Sequence, residues 1–354
     1  MRREARKGRG ATGNDASGRF DAKARVADGD WLDAADADDL PPLATEVSFE
    51  TPKSAITRNR SPDLPFDRSI NAWRGCEHGC VYCFARPTHA YLGLSPGLDF
   101  ESRIVVKRGL PALLRRELAD PHYQCRPIAL GTNTDPYQPA ERRFRTTRQL
   151  LEVMDAYNHP VTITTKAARI LDDLPLIASL AARRLAAVMI SLTTLSAATA
   201  RTMEPRASAP HRRLAAIRAL AGAGVPVAVS TSPIVPAIND HEIEAILTAA
   251  ADAGASAATM IVVRLPHEVA PIFRAWLYER YPERAEKAMH LINDMRQGKD
   301  NEGDFYERFR PKGAYAAALR LRFELAARRN GLARQIPELA TDLFSPPGQQ
   351  FRLL

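Results

Sequence analysis

From Ser69 onward the chain alternates short apolar or β-branched runs with longer stretches whose apolar residues recur at helical spacing, the pattern of parallel strands joined by helical crossovers. Six runs read as strands: Ser69 to Trp73, Pro127 to Leu130, Val161 to Thr165, Ala187 to Leu192, Pro226 to Ser230 and Thr259 to Val263. Helical period marks Glu141 to Tyr157, Asp172 to Arg184, His211 to Ala223 and His241 to Ala253; the last two end in glycine-bearing turns suited to C-caps. The predicted fold is α/β, a partial (β/α)6 barrel of the TIM type with an N-terminal arm and a helical C-terminal extension.

At 354 residues the chain is long enough for one barrel-sized domain. The expected organisation is a mostly disordered arm over 1–45, a lead-in over 46–68, the barrel over 69–296 and the helical extension over 297–354. The arm begins basic and Gly-rich, then turns acidic between Asp28 and Asp39, with too few large apolar side chains to offset its chain entropy. In the extension, Tyr315 to Arg329 reads as a helix. The tail L-F-S-P-P-G-Q-Q-F-R-L-L is expected to cover the open edge of the barrel. Trp276, Tyr278 and Tyr281, with Pro271 and Phe273, are expected to pack as an aromatic cluster over the barrel end.

Polar residues collect where the strand runs stop. A cysteine-bearing loop follows the first run, G-T-N-T-D (131–135) the second, Lys166 the third, Thr193-Thr194 the fourth, Thr231-Ser232-Pro233 the fifth and R-L-P (264–266) the sixth. Active sites of parallel β/α folds lie at the carboxyl ends of the strands, so these loops point to one shared site.

The cysteine loop reads C-E-H-G-C-V-Y-C and places Cys76, Cys80 and Cys83 within eight residues. Three ligands are one short of a closed structural zinc site, whereas an iron-sulfur cluster on three thiolates keeps one iron open. Two other readings stand beside it: a zinc knuckle completed by His78 or His89, and plain buried thiols. The spacing follows neither the paired C-x2-C zinc pattern nor a core period. Cys125 is the one further cysteine, which excludes a disulfide framework. With no long apolar run and no signal-peptide h-region, the expected setting is cytoplasmic, with reduced thiols and no membrane partner.

The C-x3-C-x-aromatic-C triplet after the first strand of a six-unit barrel resembles the radical S-adenosylmethionine (SAM) superfamily. The segments N-A-W-R-G-C-E-H-G-C-V-Y-C-F-A-R-P, G-T-N-T-D-P-Y-Q-P-A-E, I-T-T-K, E-P-R, A-I-N-D-H-E and V-R-L-P resemble a bacterial branch related to spore photolyase. The resemblance implies a 4Fe-4S cluster on Cys76, Cys80 and Cys83, SAM at its fourth iron, and a one-electron donor such as flavodoxin or ferredoxin. It also implies cofactor contacts for Tyr82, Asn133, Thr134, Asp135, Lys166, Ser191, Thr193, Glu204 and Arg206. By themselves these residues have plainer readings: Tyr82 as a core aromatic, 133–135 as an ordinary turn, and Lys166 as a snorkelling surface amine. Likewise Ser191 and Thr193 suit in-sheet hydrogen bonding, and Glu204 and Arg206 could pair with each other. One departure stands out. Spore photolyase carries a hydrogen-donating cysteine where this chain has Gly131, so reversal of a thymine dimer by that route is not expected.

The first 50 residues hold 8 basic and 11 acidic side chains, leaving 41 basic against 30 acidic in the rest, a net +11. That excess, with Arg142, Arg143, Arg145 and Arg148 just after the T-N-T-D loop, makes nucleic acid a candidate substrate. Against it, Arg and Ala are frequent throughout the chain, and basic helices are commonly solvated faces. The function expected is hydrogen abstraction from an unidentified, bulky substrate. The alternative is a cluster- and SAM-binding redox sensor without turnover.

Overall fold

The computed structural model describes residues 8–14 and 43–347. Its strands are β1 (Glu46–Glu50), β2 (Thr57–Arg58), β3 (Arg68–Ile70), β4 (Trp73–Arg74), β5 (Arg103–Lys107), β6 (Ile128–Leu130), β7 (Val161–Thr165), β8 (Ala186–Ser191), β9 (Val227–Ile234) and β10 (Ala257–Val262). Seven of them form one sheet in the order β10-β9-β8-β7-β6-β3-β2. Neighbours from β3 to β10 are parallel, and β2 joins antiparallel at one end. The six parallel strands are the expected units of a partial barrel, and their linear order leaves it open. β8 and β9 are buried along nearly their whole length, as near-continuous apolar strands covered on both faces should be.

The first predicted strand is two. β3 belongs to the main sheet, while β4 belongs to a three-stranded sheet of order β1-β5-β4. The chain changes sheets between Ile70 and Trp73, which carries the cysteine loop off the main sheet. Trp73 anchors the crossing, 1% exposed, edge-on to Phe144 at 5.5 Å. β1 and β5 pair in parallel, β1 within the expected lead-in and β5 between the first and second predicted runs, where no strand was expected. Their signal is weak because just one face is covered: β5 alternates buried and half-buried positions.

The helix expected over Glu141 to Tyr157 is broken. A short turn, Glu141–Phe144, stops at Arg145, whose φ of 50° is left-handed, and a second helix runs over Thr146–Ala156. Glu141 explains the break: its buried carboxylate accepts the Thr147 amide at 2.7 Å and so caps the second helix. Two helices in a row, Val269–Arg280 and Pro282–Asp294, carry Phe273, Trp276 and Tyr281 into a second core against Val81 and Tyr82 of the cysteine loop. Tyr278 instead faces outward and bonds Glu286 at 2.6 Å.

Of the arm expected to be disordered, 1–7 and 15–42 lie outside the described residues, and 8–14 packs on the body, with Arg9 and Ala11 buried. Of the tail expected over the open edge (343–354), 343–347 are described and lie elsewhere. Ala333 bridges the start of β10, but Ala340 and Ser345 bond the carbonyls of Arg184 and Tyr157, before β8 and β7. The described tail therefore lies mainly across the amino ends of the strands, opposite the polar loops; its last residues, from 348, lie outside the described residues.

Burial raises the Glu141 carboxyl to about 8, with the amides of Thr147 and Arg148 opposing. A carboxyl that stays protonated in the fold while the unfolded chain ionises makes stability fall as pH rises from the ordinary carboxylate range to about 8. Glu141→Gln, which keeps an acceptor for Thr147, should flatten that slope. The gain near pH 8 should be on the order of a few kcal/mol relative to pH 5, read by urea unfolding at both values. Parallel slopes in the two proteins would exclude a protonated Glu141.

Candidate functional site

The cysteine loop begins where β4 ends and is held from three sides. The Thr134 hydroxyl donates to the Gly75 carbonyl at 2.7 Å, the Val81 amide donates to the Met203 carbonyl at 3.1 Å, and the Arg206 amide donates to the His78 carbonyl at 3.2 Å. Cys76, Cys80 and Cys83 line a single hollow with Asn133, Lys166 and Ser191, at the carboxyl ends of β6, β7 and β8. Of the six strand-end loops, the first three, bearing the cysteines, 131–135 and Lys166, meet at this hollow, while Thr193-Thr194, Thr231-Ser232-Pro233 and 264–266 do not line it.

Asp135 ties the walls together. Its carboxylate accepts from the Thr165 hydroxyl at 2.6 Å and from the amides of Lys166 and Tyr137 at 2.9 Å each. His78 Nδ1 stands 3.3 Å away, at ion-pair distance but without hydrogen-bond alignment. Burial raises the Asp135 carboxyl, but His78, Thr165 and the Lys166 amide outweigh it and bring it down to about 2. With these partners Asp135 orders the site from within.

Lys166 is no snorkelling amine. Its ammonium lies 4.0 Å from Glu204 and 5.6 Å from the centre of the Tyr82 ring, with 18% of the side chain exposed. Burial lowers the ammonium, yet the Cys80 thiol and Glu204 reverse the shift and raise it. Glu204 is itself pinned by the Arg213 guanidinium and the Tyr82 hydroxyl. Burial raises that carboxyl too, and Arg213 with Lys166 pulls it below the usual carboxylate range.

Other expected contacts do not line the hollow. Tyr82 and Glu204 stand behind Lys166, and Thr193 is fully buried, its hydroxyl without a partner among the described residues. Glu204 and Arg206 do not pair with each other; Arg206 meets Glu77 at 3.2 Å on the outer side of the cysteine loop. Sequence reasoning passed over Asn71, which accepts from the Asn133 amide at 2.9 Å, and Gln138, which accepts from the Glu77 amide at 2.8 Å. It also passed over Arg213, buried in a helix whose other arginines face water. Gln138, inside D-P-Y-Q-P, carried the one legible signal, a polar side chain set between prolines in a strand-end loop.

The thiols test the fit of a cluster. Burial pushes Cys80 up to about 12 and Cys76 well above the ordinary thiol value, so a ligand that replaces their protons relieves a buried, otherwise unused set. Neither histidine suits the zinc alternative: His78 faces Asp135, and His89 bonds the Arg103 carbonyl at 3.0 Å with its ring against Phe100. Among the described residues no three Cys, His, Asp or Glu side chains close on a single ion position. A cubane cluster asks for less, because each thiolate meets a different iron.

Comparison with known proteins agrees. The sequence profile of the Radical SAM superfamily matches residues 70–250, and an uncharacterised protein of Mycobacterium tuberculosis, Rv2578c, is 38% identical over 244 residues, 68% of this chain and 71% of its own length. The chain belongs to the radical SAM superfamily. It is a radical SAM enzyme, and the family implies a 4Fe-4S cluster and SAM as its cofactors. An uncharacterised Methanocaldococcus jannaschii protein, MJ0683, is 27% identical over 175 residues, 49% of this chain and 62% of its own length. In fold the chain is similar to spore photoproduct lyase, with TM-score 0.59, 16% identity and 81% of each chain covered. A variant of that lyase with bound AdoMet and the dinucleoside spore photoproduct gives 0.56 at 17% identity over 81% of each chain. Among the described residues no helix is long and apolar enough to cross a membrane.

Gly131 sits at φ 87°, and a Cβ there would lie 2.1 Å from the Thr164 carbonyl oxygen. The backbone itself therefore excludes a side chain, thiol included, at the position where spore photolyase is expected to hold its donor. Glu204→Ala should leave Arg213 a buried, unpaired cation and lower stability by about 3–5 kcal/mol in urea unfolding. Lys166→Ala, which keeps the Glu204–Arg213 pair, should cost far less. Equal losses would mean that Glu204 does not compensate Arg213.

Proposed function

We propose that this radical SAM enzyme abstracts hydrogen from a nucleic-acid substrate. The observation carrying the cofactor half is that three unpaired thiols share one hollow with the Asn133 amide, the Lys166 ammonium and the Ser191 hydroxyl. Cys76, Cys80 and Cys83 would ligate the cluster. A cluster held by these three thiolates would supply the electron for reductive cleavage of the SAM C–S bond, giving methionine and a 5'-deoxyadenosyl radical.

The chain's own residues bind, orient and shield. Lys166 offers a point charge to the SAM carboxylate, held in aim by Glu204 and Tyr82 behind it. Asn133 and Ser191 offer their polar groups to the remaining hydroxyl and amino functions of SAM. Thr134, Asp135 and Arg206 work at one remove, fixing the loops that bear these groups. Thr193 sits too deep for contact and serves the same packing. The second core behind Val81 and Tyr82 keeps water from that side. An external one-electron donor of the flavodoxin or ferredoxin kind completes the cycle.

Support for a nucleic-acid substrate comes from a cleft of about 270 Å³ beside the site, where Arg142, Arg145, Arg148 and Arg169 stand among Glu141, Asp172 and Asp173. Tyr137 joins the two, its amide on Asp135 and its hydroxyl on Asp173 at 3.1 Å. Arg148 is committed to Asp173 at 2.8 Å, Arg169 pairs with Asp172 at 2.5 Å, and Arg143 lies over the Phe144 ring. Arg142 and Arg145 are exposed and have no acidic partner among the described residues, which leaves their guanidinium groups for phosphates.

Anaerobic preparation should give a brown protein with about four iron and four sulfide per chain, lost in each of Cys76→Ala, Cys80→Ala and Cys83→Ala and kept in Cys125→Ala. Dithionite and SAM should then release 5'-deoxyadenosine. Lys166→Ala should keep the iron and weaken SAM binding by roughly 1.5–3 kcal/mol. SAM bound tightly but never cleaved would return the sensor reading.

Affinity for single- or double-stranded DNA or RNA should fall with salt, and Arg142→Ala with Arg145→Ala should reduce the logarithmic slope by about 2. With dimer-containing DNA, 5'-deoxyadenosine should form with little restored thymine. A slope untouched by the double variant would detach the cleft from the substrate.

A further inference from the structure

On the reverse side of the cysteine loop a buried carboxylate meets a piece of the N-terminal arm. Glu101 is 0% exposed, and its two oxygens accept the Gly10 and Ala11 amides at 2.8 Å each. The same carboxylate takes the Arg86 guanidinium at 3.0 Å, and Arg86 is also 0% exposed. Arg86 in turn donates to the carbonyls of Gly79 at 3.0 Å and Cys80 at 2.9 Å. An unbroken chain of hydrogen bonds therefore runs from the arm to the backbone of a proposed ligand.

Shape reinforces it. A Cβ on Gly10 would lie 1.7 Å from the Gly79 carbonyl oxygen, so the two glycine backbones touch. Gly79 itself has φ 66°, and a Cβ there would strike Glu101 at 2.3 Å. Arg9 fastens the segment at its other side, donating to the carbonyls of Glu101 and Leu43 and, at 3.3 Å, to the Thr45 hydroxyl. Thr45 then donates to Glu77, inside the cysteine loop, at 2.7 Å. Further along, the Asn14 side-chain amide donates to Asp99 at 2.9 Å, and the Leu98 amide donates to the Gly13 carbonyl at 3.2 Å.

We propose that residues 8–14 are a strap that sets the cysteine loop, with Arg9 and the Gly10 and Ala11 amides as positioning groups acting through Glu101 and Arg86. Without the strap the Glu101 carboxylate loses the Gly10 and Ala11 amides and keeps Arg86 alone, so the group that aims Arg86 at Gly79 and Cys80 is left buried and under-satisfied. The strap also covers the loop from behind, on the side away from the hollow. Its action on a cluster rests on the cysteine assignment above; its hold on the loop does not.

The test uses full-length Gly10→Val, which forces the backbones apart, and Arg9→Ala, which removes a fastening without adding bulk. In metal-free protein, hydrogen exchange of the 76–86 amides should quicken by at least about tenfold in either variant while the sheet amides stay as protected as before. In reconstituted protein the same variants should bleach several-fold faster in air, and the reduced cluster should show an altered EPR spectrum. Unchanged exchange at 76–86, or faster exchange with an unaltered spectrum and bleaching rate, overturns the proposal. If Gly10→Val fails to fold, Arg9→Ala decides alone. Absence of iron from the unmodified protein would sink the cluster assignment and leave the exchange comparison standing.

Discussion

The buried carboxylate of Asp135 is the constraint on which the site depends. It stands at the end of the β6 loop, takes a hydroxyl and an amide from the end of β7, and faces His78 of the cysteine loop. Three segments far apart in sequence are thereby fixed to one charged group. A buried anion is tolerated only when its lone pairs are filled, so any displacement of these loops carries the cost of uncovering it. The requirement works as a positional lock on the ends of β6 and β7, and the cysteine loop meets it at His78.

A second electrostatic unit lies deeper. Glu204, Arg213, Lys166 and Tyr82 form a group in which one carboxylate answers two cations. Arg213 also donates to the Ser191 carbonyl at 3.0 Å, so the end of β8 is held by the same guanidinium that fixes Glu204. The surplus positive charge reaches the hollow as the Lys166 ammonium. The local charge there is set by buried partners and is little screened by salt.

Openness of the sheet matters for what can approach. The parallel strands run from β3 to β10 without closing, and the arginine cleft adjoins the hollow through Tyr137. A small metabolite would need neither feature. A polymer whose phosphates lie outside the reacting nucleotide would use both, which is why the basic cleft and the cofactor hollow are read as parts of one surface.

Much of this was legible in the chain. The strands β8 and β9 are largely apolar, nearly fully buried runs of parallel-sheet length, and the alternating β7 run V-T-I-T-T fell on its structural bounds because Pro160 and Lys166 frame it. The cysteine spacing and the polar residues after each run are local signals, so they drew attention to the thiols, Asn133 and Lys166, whereas Ser191, inside its run, was named by the family resemblance. The sheet change after Ile70, the break at Arg145 and the docking of residues 8–14 are different in kind. The first and last are settled by partners remote in sequence, β5 for Trp73 and Glu101 for the Gly10 amide, and the break at Arg145 by a side chain, Glu141, that reaches the Thr147 amide only once the chain has turned. A residue's own type tells what it can bond, but which of several chemically equal partners it meets is decided by packing, and Glu204 chose Arg213 over Arg206 for that reason.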